Sequence, residues 1–330
     1  MINIVSGRLL SSFCVFFLAG AYAAGPLPRT ADGHPDLQGV WTSATLTPLE
    51  RPPEFANKPV LTPEEAAAFE RQLIHADDRD RRDGPVQTDL GRAYNDAWFE
   101  RGNRIVGSRR TSLIIDPADG RVPPLTPAAQ KKLDAAREYA KLHPADGPED
   151  RPLAERCLLW PTAGPPMLPG AYNNNYQIVQ SPGYVSILVE MIHDVRIIPT
   201  DGRPHLPSNI RQWMGDSVGH WEGDTLVVET TNFTDKTSDV GAGMVRATFR
   251  GSDESLRLIE RFKRVDANTI LYEFTVDDPT AFTRPWTAQV PMTKTAGPLF
   301  EYACHEGNYA MTNVLAGTRS AEKKAEDAHR

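Results

Sequence analysis

Tyr184-Val185-Ser186-Ile187-Leu188-Val189-Glu190-Met191-Ile192-His193-Asp194-Val195-Arg196-Ile197-Ile198 is the stretch on which the fold turns. It alternates along its whole length with the two-residue period of a pleated strand. Val185, Ile187, Val189, Met191, His193, Val195 and Ile197 share one side, and Ser186, Leu188, Glu190, Ile192, Asp194, Arg196 and Ile198 share the other. Read as one strand, the first side is the core face. His193 then sits among apolar side chains while Asp194 points away unless a bulge intervenes, so the adjacent pair is not a dyad. Glu190, Asp194 and Arg196 on the second side fit either a surface ion-pair ladder or the wall of a polar pocket.

The same period continues on both sides of this stretch. Strands are expected from Tyr176 onward. Thr225 to Thr231 forms a short buried strand after the turn Glu222-Gly223-Asp224. Leu256 to Arg264 and Ile270 to Val276 form a hairpin across Asp266-Ala267-Asn268, and Trp286 to Met292 forms a further strand. Strands in series with tight turns and no helices between them predict a mainly β fold, an antiparallel barrel or sandwich, over residues 151–318. Ile114 to Arg121 and Ile197 to Arg203 both read as a strand end followed by an Asp-Gly turn, and shared turn chemistry accounts for the likeness.

Upstream the pattern changes. Residues 25–60 are rich in proline and read as an extended arm lying over the domain. Thr62-Pro63-Glu64-Glu65 opens a helix with Thr62 as N-cap and Glu65 closing a capping box, running to about Arg82. Thr126-Pro127 opens a second, ended by His143-Pro144. Both are charged on most faces and are expected to pack peripherally within residues 25–150. The run Asp77-Asp78-Arg79-Asp80-Arg81-Arg82-Asp83 reads as a solvated face, and Arg319 to Arg330 as a charged tail that frays.

Residues 1–24 carry the marks of a signal peptide: Arg8, an apolar run from Leu9 to Ala19, then Ala21-Tyr22-Ala23 for a peptidase. The run is short for a membrane span, although an uncleaved anchor is the alternative. Cys14 lies inside that run and lacks a small residue before it, so it does not read as a lipoprotein site. The expectation is a periplasmic or secreted protein without an integral membrane segment after cleavage. Two cysteines then remain, Cys157 and Cys304, and two thiols in an exported chain usually pair. Closing that loop restricts the unfolded chain by roughly 5 kcal/mol in the entropic account; two separate buried thiols are the alternative. The 330-residue chain has a formal net charge of −7 and no basic cluster, which argues against a nucleic-acid partner. Its oligomeric state is left open.

Several residues stand out chemically. Tyr172-Asn173-Asn174-Asn175-Tyr176 offers three amides between phenols, suited to orienting a polar ligand or an oxyanion, or to a turn that uses asparagine's tolerance of left-handed backbone. In the hairpin, Leu256, Leu258, Glu260 and Phe262 share a face that meets Ile270, Tyr272, Phe274 and Val276. Glu260 is therefore a carboxylate among apolar side chains: an acid or base raised in pKa by burial, or the partner of an arginine. Trp213 to Asp216 with His220 to Glu222, and Cys304 to Tyr309, form two further clusters. If Cys304 pairs with Cys157, the bridge brings His305 near Trp160 and the loop before Tyr172. His193, His205, His220 and His305 would have to gather to hold a metal, and their spacings match no ligand signature, so neither a metal nor a cofactor is expected. Serine-hydrolase elbows, phosphate loops and dinucleotide fingerprints are absent from the sequence.

Gly170 to Gln180, Glu190 to Asp194, Gly219 to Val228 and Ala303 to Tyr309 resemble stretches of a group of exported bacterial proteins usually described as hypothetical. The resemblance implies a bacterial, exported origin and carries over no catalytic residue.

These placements predict an exported enzyme acting on a small apolar or aromatic molecule by general acid/base chemistry, as a lyase, isomerase or hydrolase, in a barrel pocket lined by tryptophans. His193 is the expected base and Glu260 the acid or the group orienting it. His220 or His305 would be their partner. Tyr172, Asn173, Asn174, Asn175, Trp213 and Asp216 would contact the substrate. The competing reading is a non-catalytic periplasmic ligand-binding or scaffold protein, and the third is a metal-dependent hydrolase.

Overall fold

Alternating apolar residues close this chain into hairpins, and the hairpins join edge to edge into one sheet. The structure, a computed structural model, describes residues 27–92, 95–236 and 254–328. The leader expected at residues 1–24 lies outside the described residues. The strands are β1 (Gly39–Thr42), β2 (Ile114–Asp116), β3 (Asn175–Ser181), β4 (Tyr184–Val189), β5 (Val195–Pro199), β6 (Asp216–Glu222), β7 (Thr225–Thr231), β8 (Arg257–Arg264), β9 (Thr269–Asp277) and β10 (Trp286–Lys294). The helices are α1 (Pro63–Asp77), α2 (Val86–Leu90), α3 (Pro127–Leu142) and α4 (Tyr309–Ala328).

The strand order is β5-β4-β3-β1-β10-β9-β8-β7-β6, with β2 added on β10. Every neighbouring pair along this path is antiparallel. The path holds nine strands, an odd number, so its first and last members run in the same direction. β5 and β6 lie side by side at the closure, and the barrel meets itself at a parallel seam that no ladder of backbone hydrogen bonds closes. Parallel neighbours need a long crossover, which residues 200–215 supply. Side chains hold the seam together. Arg196 Nη2 donates to Ser217 Oγ at 3.2 Å. Gly219 allows close approach, since a Cβ there would meet Ile198 Cγ2 at 3.0 Å and Thr200 Cγ2 at 3.2 Å.

The expected mainly β fold is therefore what forms, with its helices outside the sheet. The arm expected over residues 25–60 differs in one respect: Gly39–Thr42 is a central strand between β3 and β10. Trp41 anchors it, fully buried, with Nε1 donating to the Leu37 carbonyl at 2.9 Å. The capping box of α1 is present: Thr62 N donates to Glu65 Oε2 at 2.9 Å, and Glu65 N to Thr62 Oγ1 at 3.3 Å. The helix stops at Asp77 rather than Arg82, because Asp78 is extended. The tail is helical through Ala328, and none of its side chains is buried.

The interior is filled. Trp41, Trp286, Tyr176, Tyr272, Phe262, Phe274, Met292 and Val290 are all fully buried. At the end bearing the β4–β5 turn, residues 161–168 stop the barrel: Tyr176 OH donates to the Thr162 carbonyl at 2.9 Å, and Met167 N donates to Tyr272 OH at 3.1 Å. The tryptophan-lined pocket expected inside the barrel is instead a packed core.

Candidate functional site

The first expectation to change is the long strand. It is two strands, β4 and β5, joined by a tight turn in which Ile192 and His193 have φ of +66° and +59°. Cross-strand partners face the same side of a sheet, and here they are Val185 with Ile198 and Ile187 with Arg196. Odd-numbered residues of β4 thus share a face with even-numbered residues of β5. Arg196 and Ile198 point inward and Val195 and Ile197 outward, the reverse of the single-strand reading. His193 sits in the turn, exposed, and its assignment to the core face is corrected accordingly.

The inversion gives Glu260 its partner. Glu260 lies on the expected apolar face of β8, fully buried, with Leu258 and Phe262 beside it. Arg196 reaches it across the interior, Nη1 donating to Oε1 at 3.0 Å and Nη2 to Oε2 at 2.5 Å. Tyr272 OH donates to Oε1 at 2.7 Å. A bidentate guanidinium and a phenol saturate the carboxylate. Of the two readings offered for Glu260, the arginine pair is the one that forms, and it pins β5, β8 and β9 together. Burial, aided by the neighbouring negative charge, holds the Tyr272 phenol well above its ordinary range.

The histidines do not converge. His220 is exposed on β6 and lies 3.2 Å from Glu222. His305 is exposed in the turn before α4. His205 places Nδ1 2.9 Å from Asp216 Oδ2, which also accepts from Leu206 N at 2.9 Å. Among the described residues no three His, Cys, Asp or Glu side chains are grouped to hold a metal. Trp213 and Asp216 line a cleft of about 570 Å³ beside the seam, with Asp194 and Arg211. Asp216 there is occupied by the crossover loop.

Cys157 and Cys304 are bonded, with Cα atoms 5.8 Å apart. The bridge draws the chain after β10 onto the loop before β3. Tyr302 packs against the main core, and Phe300 N donates to Glu190 Oε1 at 2.9 Å.

This end of the barrel collects the polar groups that the sequence signalled around Tyr172. Asn173 adopts the left-handed backbone anticipated for a turn, with φ +53°. Asn174, fully buried, accepts from Gly170 N at 2.7 Å and donates to the Glu100 carbonyl at 2.8 Å. Asn175 Nδ2 donates to Glu190 Oε2 at 2.8 Å and to Glu100 Oε1 at 3.2 Å. Glu190 is fully buried and has no cation at ion-pair distance among the described residues. Burial pushes the Glu100 carboxyl up; the Asn175 hydrogen bond opposes this, and the charge of Glu190 adds to it. Tyr172 lies against this cluster, its ring centroid 6.1 Å from Trp160 and 6.3 Å from Phe99. Burial, then Tyr172, raises the Tyr302 phenol. Glu100 has no periodic context in the sequence, and only its fold neighbours reveal it.

Arg101 lines a groove of about 410 Å³. Leu46, Leu49, Leu113 and Leu168 supply apolar lining, and Arg79 and Arg101 stand on it. Both guanidinium carbons lie over Phe99, at 5.0 Å for Arg79 and 4.8 Å for Arg101. Arg101 is paired with Asp96 at 2.5 Å and faces Asp77 at 4.0 Å. Arg79 has no carboxylate at ion-pair distance among the described residues, and its buried Nε lacks any hydrogen-bond partner.

Comparisons with models of known protein families, with curated proteins and with solved structures find no match to this chain.

Proposed function

We propose that this chain is an exported, non-catalytic ligand-binding protein whose barrel is a structural core and whose ligand sits in the Leu/Arg groove outside it. The observation that carries this reading is the groove itself: an apolar floor of pocket size with a small number of polar groups, the usual composition of a small-molecule site. The dispersal of His193, His220 and His305 over exposed turns and strands removes the support for acid/base chemistry centred on them. The signal peptide expected at residues 1–24 and the Cys157–Cys304 bond favour an oxidising compartment outside the cytoplasm.

The test is binding of small apolar molecules to the full mature protein, followed by calorimetry, with Ala171→Phe as the groove-filled control. Binding that the control abolishes supports the reading. Binding that the control leaves intact contradicts it.

A second reading, an acid/base enzyme, rests on one observation: Glu100 and Glu190 share the Asn175 amide, and the environment of Glu100 raises its pKa. Such pairs occur at catalytic sites and also in structural networks. Turnover of a groove ligand that Glu100→Gln removes without weakening binding would favour the enzyme.

A further inference from the structure

Resting on the groove as the binding site, we infer that its ligand is a small monocarboxylic acid with an apolar body, and that Arg79 selects for the carboxylate. Three features of the groove set this chemistry.

The first is charge. The lining includes one acid, Asp77, and two cations, Arg79 and Arg101. Asp77 faces Arg101, which is also committed to Asp96. Arg79 is left without a carboxylate at ion-pair distance among the described residues, which makes it the guanidinium free to take an anion.

The second is an unmet hydrogen bond. Among the described residues Arg79 Nε is buried without an acceptor, and Nη1 reaches the distant Gly91 carbonyl at 3.5 Å. A buried donor without a partner is costly, and a carboxylate seated on the guanidinium offsets that cost by charge. Guanidinium and carboxylate also match as planar forks, which a neutral carbonyl or hydroxyl does not.

The third is preorganisation. Phe99 holds the Arg79 guanidinium against its ring at 5.0 Å, and Tyr172 meets Phe99 edge-on at 6.3 Å. A guanidinium already stacked loses less freedom on binding. The leucine floor supplies the burial for the rest of the molecule. One guanidinium without a carboxylate partner among the described residues fits one carboxylate, and so the class is a monoacid of aromatic or short aliphatic body rather than a diacid or a sugar.

The experiment uses the full mature protein and three acids (benzoate, 3-phenylpropanoate and octanoate), each beside its primary amide, by titration calorimetry at pH 7. At least one acid is expected to bind ten-fold or more tightly than its amide. Arg79→Gln should erase that preference while the amide's affinity stays within two-fold, and Arg79→Lys should retain part of it. Circular dichroism confirms that each variant is folded. If acids and amides bind alike and Ala171→Phe removes both, the ligand class is wrong while the groove remains the site. If no compound binds the native protein, or Ala171→Phe changes nothing, the groove reading fails and this inference fails with it. A preference for the acid that survives in Arg79→Gln overturns the role of Arg79.

Discussion

Replacing Glu260 by glutamine tests the buried pair that holds the barrel closed. The amide keeps one acceptor oxygen for Tyr272, but it puts an NH₂ group where Arg196 Nη2 now donates at 2.5 Å. Two donors then face each other, and a guanidinium whose side chain is 3 % exposed loses its counter-charge. Breaking one half of such a pair costs about 3–5 kcal/mol. At roughly 2 °C per kcal/mol for a chain of this size, Tm falls by about 6–10 °C. Replacing both partners, as Arg196→Met with Glu260→Leu, removes the stranded charge and restores part of the loss, the Tyr272 hydroxyl being left without its acceptor. The assay is urea and thermal unfolding of the three variants by circular dichroism. A Glu260→Gln protein within about 1 kcal/mol of the native, or a double variant no better than the single one, would refute the reasoning.

Other outcomes follow from the same structure. His193→Ala should alter stability by less than about 0.5 kcal/mol in urea unfolding, because the side chain is exposed in a turn. Gly219→Val should destabilise by about 1–3 kcal/mol, measured the same way, by forcing a branched side chain against Ile198 and Thr200. Reducing Cys157–Cys304, which closes a separation of 147 residues, should lower stability by about 2–5 kcal/mol, read as a shift in the urea midpoint with and without reductant. Glu100 has a folded-state pKa raised above its unfolded value, so folding disfavours its charged form. That penalty is absent below the unfolded pKa and reaches full size above the folded one. Glu100→Gln should therefore raise Tm at pH 7, and the gain should shrink as pH falls from the raised folded-state pKa toward the ordinary glutamate value of 4.5, below which it is gone.

Much of the barrel was legible because its hairpins obey a strict two-residue period. β8 and β9 alternate without error, and the face carrying Glu260 follows from parity alone. The β4–β5 turn escaped detection for a physical reason: Met191-Ile192-His193-Asp194 continues the alternation and contains no glycine or proline. Ile192 takes a positive φ that a β-branched residue rarely adopts. One hidden turn inverted the faces of β5, exposed His193 and buried Arg196. β1 was hidden by its length of four residues within a proline-rich arm. The helical tail did leave a signal, since Ala321-Glu322-Lys323-Lys324-Ala325-Glu326 is made of strong helix formers; its charge drew the reading toward fraying. Of the candidate site, the three asparagines were visible as a cluster. Glu100 was not, because segment 95–104 lacks any period, and Arg79 stood only within a run read as a solvated face, whereas the fold half-buries it over Phe99.

Trp286 offers the most direct check that the barrel is a sealed core and the groove the binding surface. Among the described residues its indole Nε1–H has no acceptor, and the ring packs in the core against Phe274 and Phe282, where it reports on the barrel interior. In a ¹H–¹⁵N spectrum recorded while an apolar acid is added, the Trp286 indole signal should stay fixed while amides of residues 45–47, 99–101 and 170–171 shift. Movement of the Trp286 signal with the groove amides unchanged would contradict the account.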